Sequence, residues 1–308
     1  MRKWLIIIAP LALNFACGDN TEVEESLELE DFSDRMGYVL GSLNAESIMQ
    51  SGDKMNDLNK EMLIEGFNEN FNEKDCKDCD EVIKQLFGPY FQDFDTAFVD
   101  AGSKCLGRKT GSIFYSDMLR MGGLERIDID MVKIGFKHGV NASDTLIDEA
   151  TKRTMIQDFI ADLNVLNGDK MLEKAKSIDG AEVFENGIVM LTIEEGNGSY
   201  PGPTDDVEVE YILTSSLGDT IQSSYEMKKM SGSTDPVALS LNGGVIPGWS
   251  YALPKMKQGG KYRIYVPWGL AYGEQGGKES LCFLIELINH GPEGTLLKKQ
   301  APVPGGIQ

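Results

Sequence analysis

One stretch of the chain combines aromatic, aliphatic and turn residues in a pattern suited to a binding pocket. It covers residues 245–256 (Val-Ile-Pro-Gly-Trp-Ser-Tyr-Ala-Leu-Pro-Lys-Met), and residues 270–273 (Leu-Ala-Tyr-Gly) follow it. Gly248 frees the backbone before Trp249, which begins a short apolar helix face continued by Leu253. The ring of Trp249 could form the floor of a pocket. Such a site has no acid–base pair, but it could hold an apolar group in a dry cavity and bind its polar neighbours through one or two donors.

Strand patterns surround this stretch. From residue 183 the hydrophobic period is 2, with alternating runs at 207–213, 237–241, 262–266 and 281–287. Gly and Pro separate these runs, and the one short helix lies among them. The pattern predicts an α+β module in which a curved antiparallel β-sheet wraps over the helix.

These motifs, in this order over about residues 185–290, resemble the FKBP-type peptidyl-prolyl isomerases. The resemblance implies that Trp249 forms the pocket floor and that Val245 and Ile246 form a wall. It also implies that the Ile246 N–H and the Tyr272 hydroxyl bind substrate carbonyls. The catalytic residues implied are Tyr211, Ile246, Trp249, Tyr272 and Phe283, and the substrate-binding residues implied are Ile221, Gln222, Val237 and Val245.

The reaction implied by the resemblance is rotation about an X–Pro bond. The barrier is about 18–20 kcal/mol, because amide resonance is lost in the twisted state. A dry cavity disfavours the charge-separated planar form, and a few hydrogen bonds hold the neighbouring carbonyls. No cofactor and no metal ion are needed.

The sequence departs from the family pattern at several positions. The family's Asp-Gly-x-x-Phe-Asp-Ser occurs at 217–223 as Leu-Gly-Asp-Thr-Ile-Gln-Ser, so Ile221 replaces an aromatic wall and Gln222 replaces a carboxylate. Gln222 can form hydrogen bonds but cannot stabilise positive charge on the twisting nitrogen. Val237 stands where the family has an aromatic residue, and the loop at 274–280 is shorter than the family's Pro-rich flap. The alternative is therefore a catalytically weak or inactive FKBP-fold chaperone or assembly factor.

The amino-terminal half contains an internal repeat. Residues 58–67 recur as 127–136, a shift of 69, whereas Gly41-Ser42 and Gly52 recur at Gly111-Ser112 and Gly122, a shift of 70. Each copy has the pattern of a helix, an acidic turn and a second helix. We expect two helical hairpins in one small bundle; chance similarity between helical segments is the alternative.

A Gly-Tyr-x-x-Gly motif at residues 37–41 opens this half. It resembles the amino-terminal domain of the macrophage-infectivity-potentiator type of isomerase, which implies dimerisation and the holding of client chains. The duplication departs from that family's single copy. A long helix follows, with Asp148 as its N-cap and an apolar stripe through 150–176, and connects the two halves.

The first 17 residues predict a secretory signal. Arg2 and Lys3 precede an apolar run at 4–16 that is too short to span a bilayer. The Ala16-Cys17-Gly18 sequence is similar to a bacterial lipoprotein processing site, so Cys17 is the predicted lipid-modified residue. Ordinary cleavage near Ala16 is the alternative.

The composition argues against nucleic acid as a partner, and the cysteine spacing does not decide which cysteines pair. With 49 acidic and 29 basic residues the formal charge is −20, which repels nucleic acid. Two of Cys76, Cys79 and Cys105 are expected to form a structural disulfide; a redox dithiol or a zinc site would need a setting that the flanking sequence lacks. Cys282 is expected to be buried in a strand, and the two histidines show no triad or metal pattern.

These observations predict an exported, lipid-anchored isomerase of the bacterial cell envelope, at the periplasmic face or the surface of the outer membrane. It would act on proline-containing polypeptide clients and form a homodimer through its helical domain. The predicted segments are a signal peptide (1–17), an acidic tether (18–31), a helical domain with two repeats (32–143), a connecting helix (144–178), an FKBP-like domain (183–290) and a disordered tail (291–308).

Overall fold

The computed structural model describes residues 29–71, 77–88, 93–143 and 146–297. Helices occupy the first half, and one more helical pair lies within the second half. They are α1 (Phe32–Met49), α2 (Lys60–Glu69), α3 (Lys77–Phe87), α4 (Val99–Met121), α5 (Ile129–Val140), α6 (Glu149–Lys176), α7 (Ser224–Ser231) and α8 (Pro247–Ala252).

Side-chain caps begin four of these helices. Asp31, Asn59, Asp128 and Asp148 each accept a hydrogen bond from a first-turn N–H, at α1, α2, α5 and α6 respectively. Each cap satisfies an N–H that has no partner inside the helix. At the other end of α4, Gly122 takes φ 73°, a left-handed conformation that favours glycine. The predicted cap at Asp148 is confirmed.

The helices of the first half pair across the two repeats. Helix α1 packs along α5, and α2 packs along α4. Glycines allow this close approach, since a Cβ at Gly41 would lie 1.9 Å from the carbonyl oxygen of Val132. A buried core that includes Tyr38, Phe67 and Phe136 fills the bundle. Helix α6 then runs from this bundle to the sheet.

The second half is an antiparallel sheet. Its strands are β1 (Glu182–Val183), β2 (Val189–Glu194), β3 (Asp206–Thr214), β4 (Thr220–Ser223), β5 (Val237–Ser240), β6 (Lys261–Val266) and β7 (Leu281–Gly291). The order is β1-β2-β6-β7-β3-β4, and β5 pairs with part of β3. The long strands alternate buried and half-buried residues, as in β6, because successive side chains point to opposite faces.

Helix α8 packs on the inner face of the sheet. Trp249, Ala252 and Leu253 are buried with strand residues such as Ile264 and Ile285 in one core. Among the described residues this is the wrapped-sheet arrangement that the sequence predicts, so the α+β fold with an all-α first half is confirmed. Helix α7 was not predicted.

The repeat differs in register from the sequence prediction. The second helices correspond with a shift of 69, as predicted. In the first helices, Gly41 contacts Val132 and Phe136, while Gly107 makes the same contacts with Leu63 and Phe67. Gly41 therefore corresponds to Gly107, a shift of 66, and the predicted match to Gly111 is wrong by about one turn. A four-residue slip keeps nearly the same helix face outward, so sequence alone could not detect it.

Several predictions concern residues outside the described ranges. These include the signal peptide, Cys17, most of the acidic tether, Cys76 and residues 298–308. Cys105 and Cys282 are free thiols, which removes Cys105 from the predicted disulfide; a bond between Cys76 and Cys79 stays a prediction. Residues 292–297, the start of the predicted tail, form a turn in which the Leu296 N–H donates to Asp206. None of the helices described is long and apolar enough to cross a membrane.

Candidate active site

A cavity of about 380 Å³ opens beside α8 on the inner side of the sheet. It brings together eight of the nine residues that the sequence analysis assigns to the site. They are Tyr211, Gln222, Val237, Val245, Ile246, Trp249, Tyr272 and Phe283. Leu213, Leu239, Gly243 and Gly244 complete the lining and were not predicted. The period-2 pattern contained the signal for two of them, because Leu213 shares a strand face with Tyr211, and Leu239 shares one with Val237.

Three aromatic rings build the floor. Trp249 is 4% exposed and lies between Tyr211 and Phe283. Its ring centroid is 5.4 Å from that of Tyr211 at 87°, and 5.3 Å from that of Phe283 at 75°. Edge-to-face contacts of this kind stabilise aromatic clusters and fix the ring planes. The indole N–H is buried without a partner among the described residues. The floor is therefore rigid, apolar and poor in acceptors.

Gly248 brings α8 against the sheet. The sequence suggested that this glycine supplies conformational freedom, but Gly248 lies inside α8 and has no positive φ. A Cβ at this position would lie only 2.5 Å from Cγ1 of Val266 on β6. Close packing of helix on strand is thus the reason for glycine, and it sets the depth of the floor.

Two possible donors lie at the wall and rim. Ile246 is the residue before α8, and its carbonyl accepts from the N–H groups of Trp249 and Ser250. Among the described residues no acceptor takes the N–H of Ile246. Tyr272 is 57% exposed. Burial first, and then the nearby Tyr272, raise the pKa of Tyr211 above the usual tyrosine value, so the Tyr211 phenol stays neutral at ordinary pH.

The loop that carries Tyr272 is attached to the long helix α6. The side-chain amide of Asn164 donates to the carbonyl oxygen of Gly277 at 2.8 Å. One turn further along α6, a Cβ at Gly168 would lie 2.5 Å from Oγ of Ser280, so the loop packs directly on the helix. Oγ of Ser280 in turn accepts from the N–H of Trp268. The connecting helix therefore helps to position Tyr272.

Ile221 and Gln222, which both differ from the family motif, lie in different positions relative to the cavity. Gln222 lines the cavity, and its amide nitrogen lies 3.4 Å from the sulfur of Met227 in α7. Ile221 is 55% exposed and is not part of the lining. The structure therefore does not bring Ile221 to the other predicted site residues. Neighbouring residues of β4 point to opposite faces, so only one of this pair can face the cavity.

A hydrogen-bonded chain of Ser199, His290 and Asp205 lies outside the cavity lining. Nε2 of His290 is 2.8 Å from Oγ of Ser199, and Nδ1 is 3.0 Å from Oδ2 of Asp205. The Asp205 pKa is lowered first by the N–H of Gly202 and then by His290. No triad pattern is visible in the sequence, since His290 lies 91 residues after Ser199 and 85 after Asp205. These hydrogen bonds join the loop before β3 to the end of β7. In the described ranges no cluster suited to a metal ion occurs.

A curved antiparallel sheet wrapped over one short helix, with an aromatic-floored cavity between them, is the architecture of an FKBP module. Residues 198–288 match the family described as FKBP-type peptidyl-prolyl cis-trans isomerase. The chain belongs to this family, and its activity is peptidyl-prolyl cis-trans isomerisation.

Its relatives include proteins of the Mip type. The "Outer membrane protein MIP" of Legionella longbeachae is 30% identical over 183 residues, which cover 53% of this chain and 76% of that protein. The "Peptidyl-prolyl cis-trans isomerase Mip" of Coxiella burnetii is 29% identical over 210 residues, covering 62% of this chain and 86% of that protein. The crystal structure of FkpA from Escherichia coli is 26% identical, and the match covers 63% of this chain and 96% of that one with a TM-score of 0.39.

Proposed function

We propose that the cavity beside α8 binds the proline ring of a client polypeptide and that the protein assists the folding of exported proteins in the bacterial cell envelope. The packing of Trp249 between Tyr211 and Phe283 carries this proposal. It provides an apolar aromatic floor with no charged group on it, which suits a pyrrolidine ring. The isomerase module would span 183–290, and the helical domain at 32–143 would join it through the helix in 144–178.

Catalysis in this proposal needs no covalent step. The apolar floor disfavours the planar, charge-separated form of the X–Pro amide more than the twisted form. The Ile246 N–H and the Tyr272 hydroxyl donate to carbonyl oxygens beside the rotating bond. Val237, Val245 and Phe283 exclude water from the ring, and Gln222 forms hydrogen bonds at the rim. Ile221 would contact only a longer client, outside the cavity.

Export and anchoring follow from the proposed processing at Cys17. A lipid-modified Cys17 would hold the protein at the membrane through its acyl chains, because each buried CH₂ contributes about 0.8 kcal/mol. The acidic tether at 18–31 would keep the folded domains clear of the surface. The Legionella longbeachae relative is named as an outer membrane protein, which supports a place in the envelope.

A protease-coupled isomerisation assay on an X–Pro peptide tests the assignment of the cavity. The double variant Trp249→Leu, Tyr272→Phe should lose most of the acceleration, since it removes the floor and one donor. Phe159→Leu is the matched control, because Phe159 is a buried aromatic residue of α6 in the helical core. Equal losses in both variants, with folding verified by circular dichroism, would contradict the assignment.

A weak isomerase that mainly holds clients is the second candidate. Gln222 favours it, because an amide replaces the carboxylate that the family places at this position. In this case the cavity variants would still suppress the aggregation of an unfolded client while the isomerisation rate stayed near the spontaneous value. The predicted homodimer would fit such a cradle for clients, but the pairing of the two repeats within one chain favours a different assembly.

A further inference from the structure

The two repeats contact each other reciprocally. A Cβ at Gly41 of α1 would lie 1.9 Å from the carbonyl oxygen of Val132 on α5. A Cβ at the corresponding Gly107 of α4 would lie 2.1 Å from the carbonyl oxygen of Leu63 on α2. In an isologous interface residue i contacts j while j contacts i, which is the signature of a two-fold axis. The two copies therefore meet as the two halves of a symmetric dimer would.

A second pair of glycines repeats this relation. A Cβ at Gly135 of α5 would lie 2.1 Å from the carbonyl oxygen of Tyr38 on α1. A Cβ at the corresponding Gly66 of α2 would lie 2.0 Å from the carbonyl oxygen of Lys104 on α4. In both contacts the glycine backbone meets the backbone of the other helix, which a side chain on the glycine would prevent. At all four glycines the hypothetical Cβ meets the carbonyl oxygen of a corresponding residue in the other copy.

The axis itself passes between two corresponding phenylalanines. Phe67 and Phe136, related by the shift of 69, stack face to face with centroids 3.6 Å apart and planes 2° apart. Only residues on a two-fold axis contact their own equivalents. Both rings are fully buried, so the axis lies in the centre of the helical core.

The symmetry extends to the third helix of each copy. Helix α3 packs on α4, where a Cβ at Gly102 would meet the side chain of Leu86 at 2.5 Å. Helix α6 packs on α1, where Phe159 contacts Phe32 and Lys152 pairs with Glu46. Since α1 corresponds to α4, α3 corresponds to α6. Helix α3 is thus a short counterpart of α6. After α3 the chain enters α4 of the second copy, whereas after α6 it enters the isomerase module.

We propose that the helical half is a dimer of three-helix units fused into one chain, so that the protein is a monomer with a single isomerase module. Each unit exposes faces that only a second unit can cover, and the other repeat covers them. The α1–α5 and α2–α4 faces, through which two single-copy chains would pair, are filled within the molecule. Within the described helices both of these faces are covered, so neither is open to a second chain.

Sedimentation equilibrium on the chain from residue 20, which contains all described residues, measures the assembly directly. The expected result is the mass of one chain across micromolar concentrations. A dimer mass would overturn the proposal. Cross-linking then distinguishes pairing within a chain from an exchange of repeats between chains.

The salt bridge of Lys104 on α4 with Glu65 on α2 provides the cross-link without altering the core. Nζ of Lys104 is 2.8 Å from Oε1 of Glu65, and both side chains are accessible to a zero-length carbodiimide reagent. Light and heavy-nitrogen chains are unfolded together, refolded in equal amounts and cross-linked. Mass spectrometry should find only peptides in which both partners carry the same label. Mixed-label peptides approaching half of the total would refute the fused dimer, and Lys104→Arg should abolish the cross-link.

Discussion

Replacing Tyr272 by phenylalanine removes a single hydroxyl from the cavity rim and keeps the ring. Because the side chain is 57% exposed, water satisfies the hydroxyl in the free protein. The free energy of unfolding should therefore change by less than about 0.5 kcal/mol. The effect should appear in catalysis, where the hydroxyl donates to a substrate carbonyl.

The exposure of the hydroxyl sets the size of that effect. A neutral hydrogen bond contributes about 0.5–1.5 kcal/mol net, and competition with water at an open rim favours the lower part of this range. A loss of about 0.5–1 kcal/mol corresponds to a roughly 2- to 5-fold lower kcat/KM. Removing a donor from an oxyanion hole costs about 100- to 1000-fold, but rotation about an X–Pro bond creates no full negative charge.

The assay is the protease-coupled rate of cis-to-trans conversion, measured at several enzyme concentrations to give kcat/KM. Tyr200→Phe is the matched control, since Tyr200 is 53% exposed and does not line the cavity. The control should keep the wild-type rate. An unchanged rate in Tyr272→Phe, or an equal loss in both variants, would refute the role of the hydroxyl.

Three further variants test other parts of the structure. Gly107→Ala should lower the free energy of unfolding by about 1–3 kcal/mol in urea titration, because its Cβ would meet the backbone of α2. Gly52→Ala is the control, and its free energy of unfolding should stay within about 0.5 kcal/mol of the wild type because open space surrounds Gly52. Asn164→Ala should lower kcat/KM about 2- to 10-fold with a smaller change in melting temperature, because the loop of Tyr272 loses its hydrogen bond to α6. Burial and the nearby Glu286 raise the pKa of Tyr225 to about 12, so wild-type stability should fall between pH 10 and 12. Tyr225→Phe should lack this part of the fall; parallel pH profiles of the two proteins would contradict the assignment.

Strand periodicity and the resemblance together predicted most of the module. The alternation at 207–213 and 281–287 gave β3 and β7, since each run has one face in the core. The resemblance to the family predicted the cavity residues, but it did not predict which of Ile221 and Gln222 faces inward. The side chain that faces the cavity is set by the register of β4 against β3, and the local sequence does not determine that register. Helix α7 was missed because it has only 8 residues and buries only Ser224 among them, so it leaves almost no apolar signal.

The sequence did not predict which helices of the first half pack against each other. Helical periodicity identifies the face that is buried, but it does not identify the partner that buries it. The repeat at 58–67 and 127–136 suggested two helical hairpins in one small bundle, without saying which helices of the two copies pair. Instead, the glycines of one copy face the other copy, and their contacts are visible only in three dimensions.

Helix α6 carries the bundle core and the rim of the cavity on the same short stretch. Phe159 and Leu163 lie in the helical core, and Asn164, the next residue, donates to the loop that bears Tyr272. Phe159 and Asn164 are less than two turns apart, or about 8 Å along the axis of one unbroken helix. A rotation of α6 within the bundle would therefore move the loop of Tyr272 with it.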